Sequence, residues 1–390
     1  MNDELHKLAP LGVVCFGGED WWYHNRGHCD MQLMRCCARH TTVLYVNSVV
    51  MRKPNVREGA MFIRRVRRKL RSMARGVVRA DENFHVYSPL TAPVHHLPGA
   101  RWLNQRALLA QTRLVMARLG LRRPIVWVNC PAACDTALSL PRSALVYQRT
   151  DRYEEYPGVD RRQISRYDRR LKAAADLTFY SSSALYEQER HTCRKAIYVE
   201  HGVDLECFAT AWRDPRVPPE LADLPRPIVG FFGGIDAHTF DIELAARVVE
   251  LCPELTFVFV GNASLDIGPL ARHPHVHLIS QRPFEQIPHY GKCFDVCIMP
   301  WNRNEWIAAC NPIKLKEYLA LGKPVVSTPF PELARYDGLI RTATDAPSFA
   351  AAIRAALAEI RPDHVEQARA AVAGHSWQAK ASQIISALPL

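Results

Sequence analysis

A chain of 390 residues, 48% hydrophobic and 23% charged, is globular rather than disordered and long enough for two domains. No apolar run approaches the ~20 residues of a membrane-spanning helix, and the polar opening MNDELHKLAP does not read as a signal peptide. Twelve cysteines without a CxxC pair, some inside apolar runs (Cys15, Cys297), read as reduced cytosolic thiols and not as a zinc site.

Short β-branched and aromatic runs alternate with longer helical stretches, the α/β pattern. In the first half, strands are expected at Leu11–Phe16, Val43–Asn47, Phe84–Tyr87, Ile125–Asn129, Ala144–Gln148, Leu177–Ser181 and Ala196–Glu200. Helices are expected at Asn104–Leu119 and Arg162–Ala175, among others. After the first strand comes FGGEDWWYHNRGH, residues 16–28. Gly17 and Gly18 permit close backbone approach to a ligand. Asp20, Trp22, His24, Asn25 and Arg26 are groups that stack on and hydrogen-bond to sugars. His24 and His28 are four apart, but a third metal ligand is missing, and the G-x-G-x-x-G fingerprint is absent.

The net charge of +11 concentrates in MFIRRVRRKLRSMARGVVRA, residues 61–80, where Arg64, Arg65, Arg67, Arg68, Lys69 and Arg71 alternate with apolar residues at helical spacing. Such a basic amphipathic helix suits an anionic membrane surface. A solvated flank and a nucleic-acid contact are the alternatives, but no nucleic-acid motif accompanies it. Further on, YQRTDRYEEY (147–156) presents Asp151 just past a strand, where a carboxylate can serve as a general base or pair with Arg149 or Arg152.

WRDPRVPPELADLPRP, residues 212–227, reads as a linker. The α/β pattern then restarts, with strands expected at Ile228–Phe232, Leu255–Val260, Val276–Ile279, Val296–Met299, Pro324–Ser327 and Leu339–Arg341, and a helix at Ile242–Leu251. In FFGGIDAHTFD, Gly233 and Gly234 free backbone N–H groups for an anion, and Asp241 is the expected N-cap of the next helix. In NPIKLKEYLALGKPVVST, Asn311 is the expected N-cap, Pro312 the first helical residue and Gly322 the stop. Lys314 and Glu317 share a face near the helix start, suited to a phosphate and a sugar diol, or else form a surface ion pair.

NPIKLKEYLALGKPVVST, preceded by FDVCIMPW and ISQRPFEQIPHY, resembles the donor half of GT-B glycosyltransferases. FFGGIDAHTFDIEL and LTFVFVG are similar to the bacterial teichuronic-acid type (group 1, family 4-like), and more distantly to the xanthan-pathway glucuronosyltransferase. LVYQRTD and HGVDLECF have counterparts in both groups, so the resemblance spans most of the chain and is densest over 228–330.

The resemblance implies two Rossmann-like doubly wound domains facing each other across a cleft: an acceptor domain over 1–210, a nucleotide-sugar domain over 211–374, and a helix over 375–390 crossing back. On the matched positions Lys314 meets the diphosphate, Glu317 the ribose, and Arg282 lies near the base; Asn311, Gly233 and Gly234 complete the donor site. The 17–26 loop would hold the acceptor. Asp151 matches the catalytic base of the inverting glucuronosyltransferase. Retaining relatives carry two glutamates eight apart, whereas Ala309 stands eight before Glu317; an Arg/Lys pair is also missing from GGIDAHTFD. Both departures favour inversion.

The expectation is a cytosolic glycosyltransferase, peripheral on the inner face of the cell membrane, that moves a sugar from a nucleoside-diphosphate sugar to a lipid-linked saccharide in surface polysaccharide synthesis. No metal, cofactor or nucleic acid is expected. The alternatives are a nucleotide-sugar 2-epimerase of the same fold and a non-catalytic module binding nucleotide sugar or lipid.

Overall fold

The computed structural model describes residues 4–24, 26–47, 60–90, 98–156, 158–359 and 363–390. It divides into two units, one made of Met1–Glu200 with Trp377–Leu390, the other of His201–Ser376.

The first unit is built on β1 (Val13–Phe16), β2 (Val43–Val46), β3 (Val77–Asp81), β4 (Phe84–Tyr87), β5 (Ile125–Val128), β6 (Ala144–Arg149), β7 (Leu177–Tyr180) and β8 (Ala196–Tyr198). Their order across the sheet is β3-β4-β2-β1-β5-β6-β7-β8, parallel except for β3. Strands covered on both faces need apolar residues at every position, not at alternate ones. VVCF, VLYV and IVWV meet that need and are wholly buried. Helices Pro98–Arg118, Cys134–Ser139 and Arg161–Ala174 share one core with the sheet through Leu108, Val115, Ala137, Ile164 and Leu171.

Residues 61–80 are not a single helix. The helix covers Ala60–Ala74; Gly76, at φ +60°, then turns the chain into the antiparallel edge strand β3. The β-branched Val77 and Val78 favour the strand.

The second unit contains β9 (Ile228–Phe232), β10 (Thr256–Val260), β11 (Val276–Ile279), β12 (Val296–Met299), β13 (Val325–Ser327) and β14 (Ile340–Thr342). The order β11-β10-β9-β12-β13-β14, parallel throughout, is that of a doubly wound nucleotide-binding sheet. The order reverses between β9 and β12, and in the first unit between β1 and β5. At such switch points the crevice beyond the strands' carboxyl ends accepts ligands.

The division between units falls at Glu200/His201, ten residues before the expected boundary, and for a physical reason. Val203 bridges Ser376 and donates its N–H to the His375 carbonyl (2.8 Å), closing the second unit on itself. Residues 212–227 are not a free linker either. Trp212 lies under the cations of Lys323 (5.1 Å) and Arg369 (4.5 Å), and Glu220 binds Arg282 and Tyr290. Helix Trp377–Ser386 packs in the first unit, on helix Cys29–Ala38 and the turn Glu4–Leu8.

Candidate functional site

At the β9/β12 switch point, helix Ile313–Ala320 brings Lys314 under the glycine turn after β9. The Lys314 ammonium sits 4.0 Å from the Phe231 ring centre and 5.6 Å from that of Trp301, which itself stacks on Phe330. Aromatic faces hold a cation by their quadrupole without neutralising it. Gly233 is at φ +137°, and a Cβ there would run into the lysine side chain. The residue must therefore be glycine both for conformation and for room. Its N–H is not free for an anion, because it donates to the Val260 carbonyl (2.9 Å).

One turn on, Glu317 is buried. Burial pushes its carboxyl up to about 7 against the pull of Lys314, and burial pushes the Lys314 ammonium down to about 8 against the pull of Glu317 and Asp236. Both are thus poised near neutrality. The Tyr318 hydroxyl oxygen accepts from the Phe232 N–H at 3.1 Å, tying the helix to β9. The helix stops in a Schellman turn, with Gly322 at φ +68° and N–H groups of Gly322 and Lys323 returning to Leu319 and Tyr318.

Asn311 is not the N-cap. Pro312 occupies that position with an extended backbone, and Asn311 Oδ1 instead accepts from the buried Lys316 ammonium at 3.0 Å. A buried ammonium without an acceptor costs more than an uncapped helix end, so the amide goes to the lysine. Asp241 does cap its helix, accepting from the Leu244 N–H at 2.9 Å. Gly234 has room: a Cβ there would come no nearer than 3.7 Å to Asp236. Arg282 is held by Glu220 (2.6 Å), the Tyr290 hydroxyl (3.0 Å) and Ser280 (2.7 Å).

In the first unit, Asp151 follows β6. Its carboxyl is raised to about 6, chiefly by burial, with Arg149 and a hydrogen bond from Thr150 pulling the other way. Arg149 is wholly buried. It grips Glu154 through two bonds of 2.9 Å and Glu189 at 3.0 and 3.1 Å. Lys172 joins Glu189 and Asp168, both at 2.6 Å, and the Tyr147 hydroxyl donates to Asp168 at 2.8 Å. The short turn Tyr153–Glu155 is anchored by this network, and Tyr153 bonds Asn129 and Thr150 through its hydroxyl.

At the β1/β5 switch point, Gly18 N–H donates to Asp30 (2.9 Å), which also accepts from the Tyr45 hydroxyl (2.8 Å). A Cβ on Gly17 would strike the Tyr45 ring, and one on Gly18 the Asn129 amide at 2.6 Å. Asp20 accepts from the Trp22 N–H at 3.0 Å. Trp22 is half-buried under Arg75 (4.4 Å), and its indole N–H has no partner among the described residues. His24 pairs with Glu19 at 3.1 Å and meets His28 edge-on, in a loop and not on a helix. Arg26, at φ 65°, lies over Trp21. Asn25 lies outside the described residues. Among those described, no three His, Cys, Asp or Glu side chains are placed to hold a metal ion.

The basic helix docks one face on this loop. Arg68 covers Tyr23 (5.4 Å), and burial lowers the Lys69 ammonium, with Asp20 pulling the other way. Val66, Arg67, Leu70 and Arg71 form the exposed face. The side chains of Arg64 and Arg65 lie outside the described residues.

The sequence reading missed the aromatic clasp around Lys314 and the depth of the Arg149 network. Phe231 stood in a strand that read as plain core and Trp301 just past the end of another; the one signal for the network was an arginine at the end of the buried strand ALVYQR.

Residues 226–359 match the family model for group 1 glycosyl transferases. A Bacillus subtilis (strain 168) protein named as a teichuronic acid biosynthesis glycosyltransferase, TuaH, is 30% identical over 183 residues, 45% of this chain and 46% of that one. The match thus spans about half the length of this curated relative. Sucrose-phosphate synthase from Thermosynechococcus elongatus superimposes with a TM-score of 0.67 at 16% identity, covering 96% of this chain and 97% of that one. Anabaena HepE, solved with UDP and glucose, gives 0.65 at 13% identity over 96% and 98%. A trehalose-phosphate synthase from Burkholderia vietnamiensis gives 0.66 at 14% over 96% and 98%. The two doubly wound units have the GT-B fold, and residues 226–359 are similar to the group 1 glycosyl transferase domain.

Proposed function

We propose that the protein is a glycosyltransferase that moves a sugar from a nucleoside-diphosphate sugar to a saccharide hydroxyl with inversion. The observation that carries this reading is the pairing of Lys314 and Glu317 on the first turns of the helix beside the β9/β12 switch point. The ammonium and the helix N–H groups bind the diphosphate, and the carboxylate accepts from the ribose hydroxyls. Asp151 takes the proton of the acceptor hydroxyl as its oxygen attacks the anomeric carbon. The bond from that carbon to the diphosphate breaks, and the negative charge leaving with the nucleotide rests on Lys314. In this reading no metal ion takes part.

The acceptor is a lipid-linked saccharide of cell-surface polysaccharide synthesis, held by the loop after β1. The exposed face of Val66, Arg67, Leu70 and Arg71 rests on the inner surface of the cell membrane. Two apolar side chains between two arginines suit an anionic interface.

The test is nucleoside diphosphate release from a panel of nucleotide sugars, with and without bacterial lipid extract. Release with one donor, increased by the extract, is expected. Binding of no nucleoside diphosphate at all would overturn the reading, and turnover of donor without acceptor would turn it toward epimerisation.

A further inference from the structure

A groove of about 630 Å³ lies on the outer helical face of the first unit, between helices Pro98–Arg118, Cys134–Ser139 and Arg161–Ala174. Its volume is in the range of small-molecule sites. Arg106, Arg113, Arg166 and Arg170 line it against a single carboxylate, Asp135. Asp135 is taken by Arg170 and, at 3.3 Å, by the Tyr167 hydroxyl; Arg113 donates to the Ser139 carbonyl at 2.8 Å. Among the described residues Arg106 and Arg166 have no ion-pair partner, and both are exposed. Arg106 lies over the ring of Trp102 (5.1 Å), which is 58% exposed.

The Trp102 ring offers an apolar face beside guanidinium groups that have no carboxylate partner among the described residues. The rest of the lining is polar but bonded within the protein, the Thr136 hydroxyl donating to the Gln105 amide oxygen (2.8 Å) and the Gln105 amide nitrogen to the Ala132 carbonyl (3.2 Å), with Leu109 as the other large apolar residue. The combination is a flat apolar face for a sugar ring beside forked donors for an anion.

The groove also has a direction. A helix between parallel strands β4 and β5 must begin at the sheet's carboxyl edge, and so must those that follow β5 and β6. Trp102 and Gln105 are near that edge, and Arg113 lies about 16 Å further down the helix. The groove therefore leads away from the edge that carries Asp151 and the loop after β1.

We infer that this groove binds an anionic saccharide, carboxylate- or phosphate-bearing, as the part of the acceptor beyond the reacting hydroxyl. The inference rests on the transferase reading for its role but not for its binding chemistry. A concave groove with an exposed aromatic face at one end favours a saccharide over a lipid surface, which meets convex faces.

The experiment is calorimetric titration of the full chain at low salt with tetragalacturonate, maltotetraose and inorganic pyrophosphate, and flotation with phosphatidylglycerol vesicles. Tetragalacturonate is expected to bind at least tenfold more tightly than the other two solutes. That affinity is expected to fall at least tenfold in Arg106→Gln/Arg166→Gln and to weaken in Trp102→Ala. Unchanged affinity in the double variant would overturn the inference, as would equal affinity for maltotetraose or pyrophosphate. So would absent saccharide binding with vesicle binding that these substitutions abolish, which assigns the surface to a membrane. Uridine and guanosine diphosphate are titrated into the same proteins. Their binding without tetragalacturonate sinks the groove alone, whereas their failure to bind sinks the transferase reading whatever the groove does.

Discussion

Arg149 and Glu154 form a two-pronged ion pair across five residues, and the segment between them carries Asp151. The guanidinium has no exposed surface, so its charge depends wholly on Glu154, Glu189 and Asp168. Removing one partner of a buried pair leaves charge without compensation, at a cost of about 3–5 kcal/mol. Glu154→Ala is expected to lower unfolding free energy by about 3 kcal/mol in urea titration. Transfer should fall with it, because the turn holding Asp151 loses its anchor.

In the proposed mechanism the pH dependence of kcat/KM follows from Asp151 and Lys314, with ionisation of Glu317 at about 7 adding to the acid limb. Asp151 must be ionised to take a proton, so the rate rises with pH through about 6. Lys314 must be protonated to hold the diphosphate, so the rate falls above about 8. A profile measured from pH 5 to 9 should be a bell between these limbs. Asp151→Asn should bind donor and lose transfer; retained transfer would point to retention of configuration.

Lys314→Ala is expected to cost tenfold or more in kcat/KM, a loss of about 1.4 kcal/mol or greater at the transition state. Stability should move oppositely when both charges go. The raised carboxyl of Glu317 contributes stability below its ordinary value of 4.5 that is lost as pH rises through about 7. The depressed Lys314 contributes stability above 10.5 that is lost as pH falls through about 8. Near pH 7 both burdens are present, so Lys314→Met with Glu317→Gln should raise Tm by about 2 °C or more. An unchanged or lowered Tm would count against this account of the site.

Gly233 and Gly234 are neighbours with opposite tolerances. Gly233→Ala forces a Cβ at φ +137° against Lys314, so nucleoside diphosphate affinity should drop at least tenfold by calorimetry. Gly234→Ala meets nothing nearer than 3.7 Å and should bind nearly as the parent does.

On the basic helix, Leu70→Glu or Arg67→Gln/Arg71→Gln should weaken flotation with anionic vesicles, because these side chains face outward. Arg68→Gln, on the docked side over Tyr23, should change it little. Equal effects from both faces would mean that the helix does not lie on the bilayer as proposed.

Most strands were legible because doubly wound sheets need unbroken apolar runs. Ile228–Phe232, Val276–Ile279 and Val296–Met299 agree with expectation to the residue. β3 was not legible: VVRAD lies at an edge with one buried neighbour, and its pattern merged with the helix before it. Lys314 and Glu317 stood out through their spacing at a helix start. What surrounds them did not, because Phe231 approaches from β9 and Trp301 from the segment after β12, and no local pattern records that. Asn311 was misjudged for a similar reason. Its competitor, the Lys316 ammonium, is five residues on, and burial decides the contest.

The first unit is discontinuous in sequence. Glu4 N–H donates to Ser382 Oγ at 3.1 Å, and Trp377, Ile384 and Ile385 are buried in that unit. A ribosome makes residues 201–376 before it makes the segment that covers helix Cys29–Ala38 and the turn Glu4–Leu8. The second unit therefore has all its own chain in hand while the earlier-made unit still waits for the helix Trp377–Ser386. Synthesis order and completion order are reversed. Until Trp377 arrives, the turn Glu4–Leu8 and helix Cys29–Ala38 lack the apolar cover of this helix.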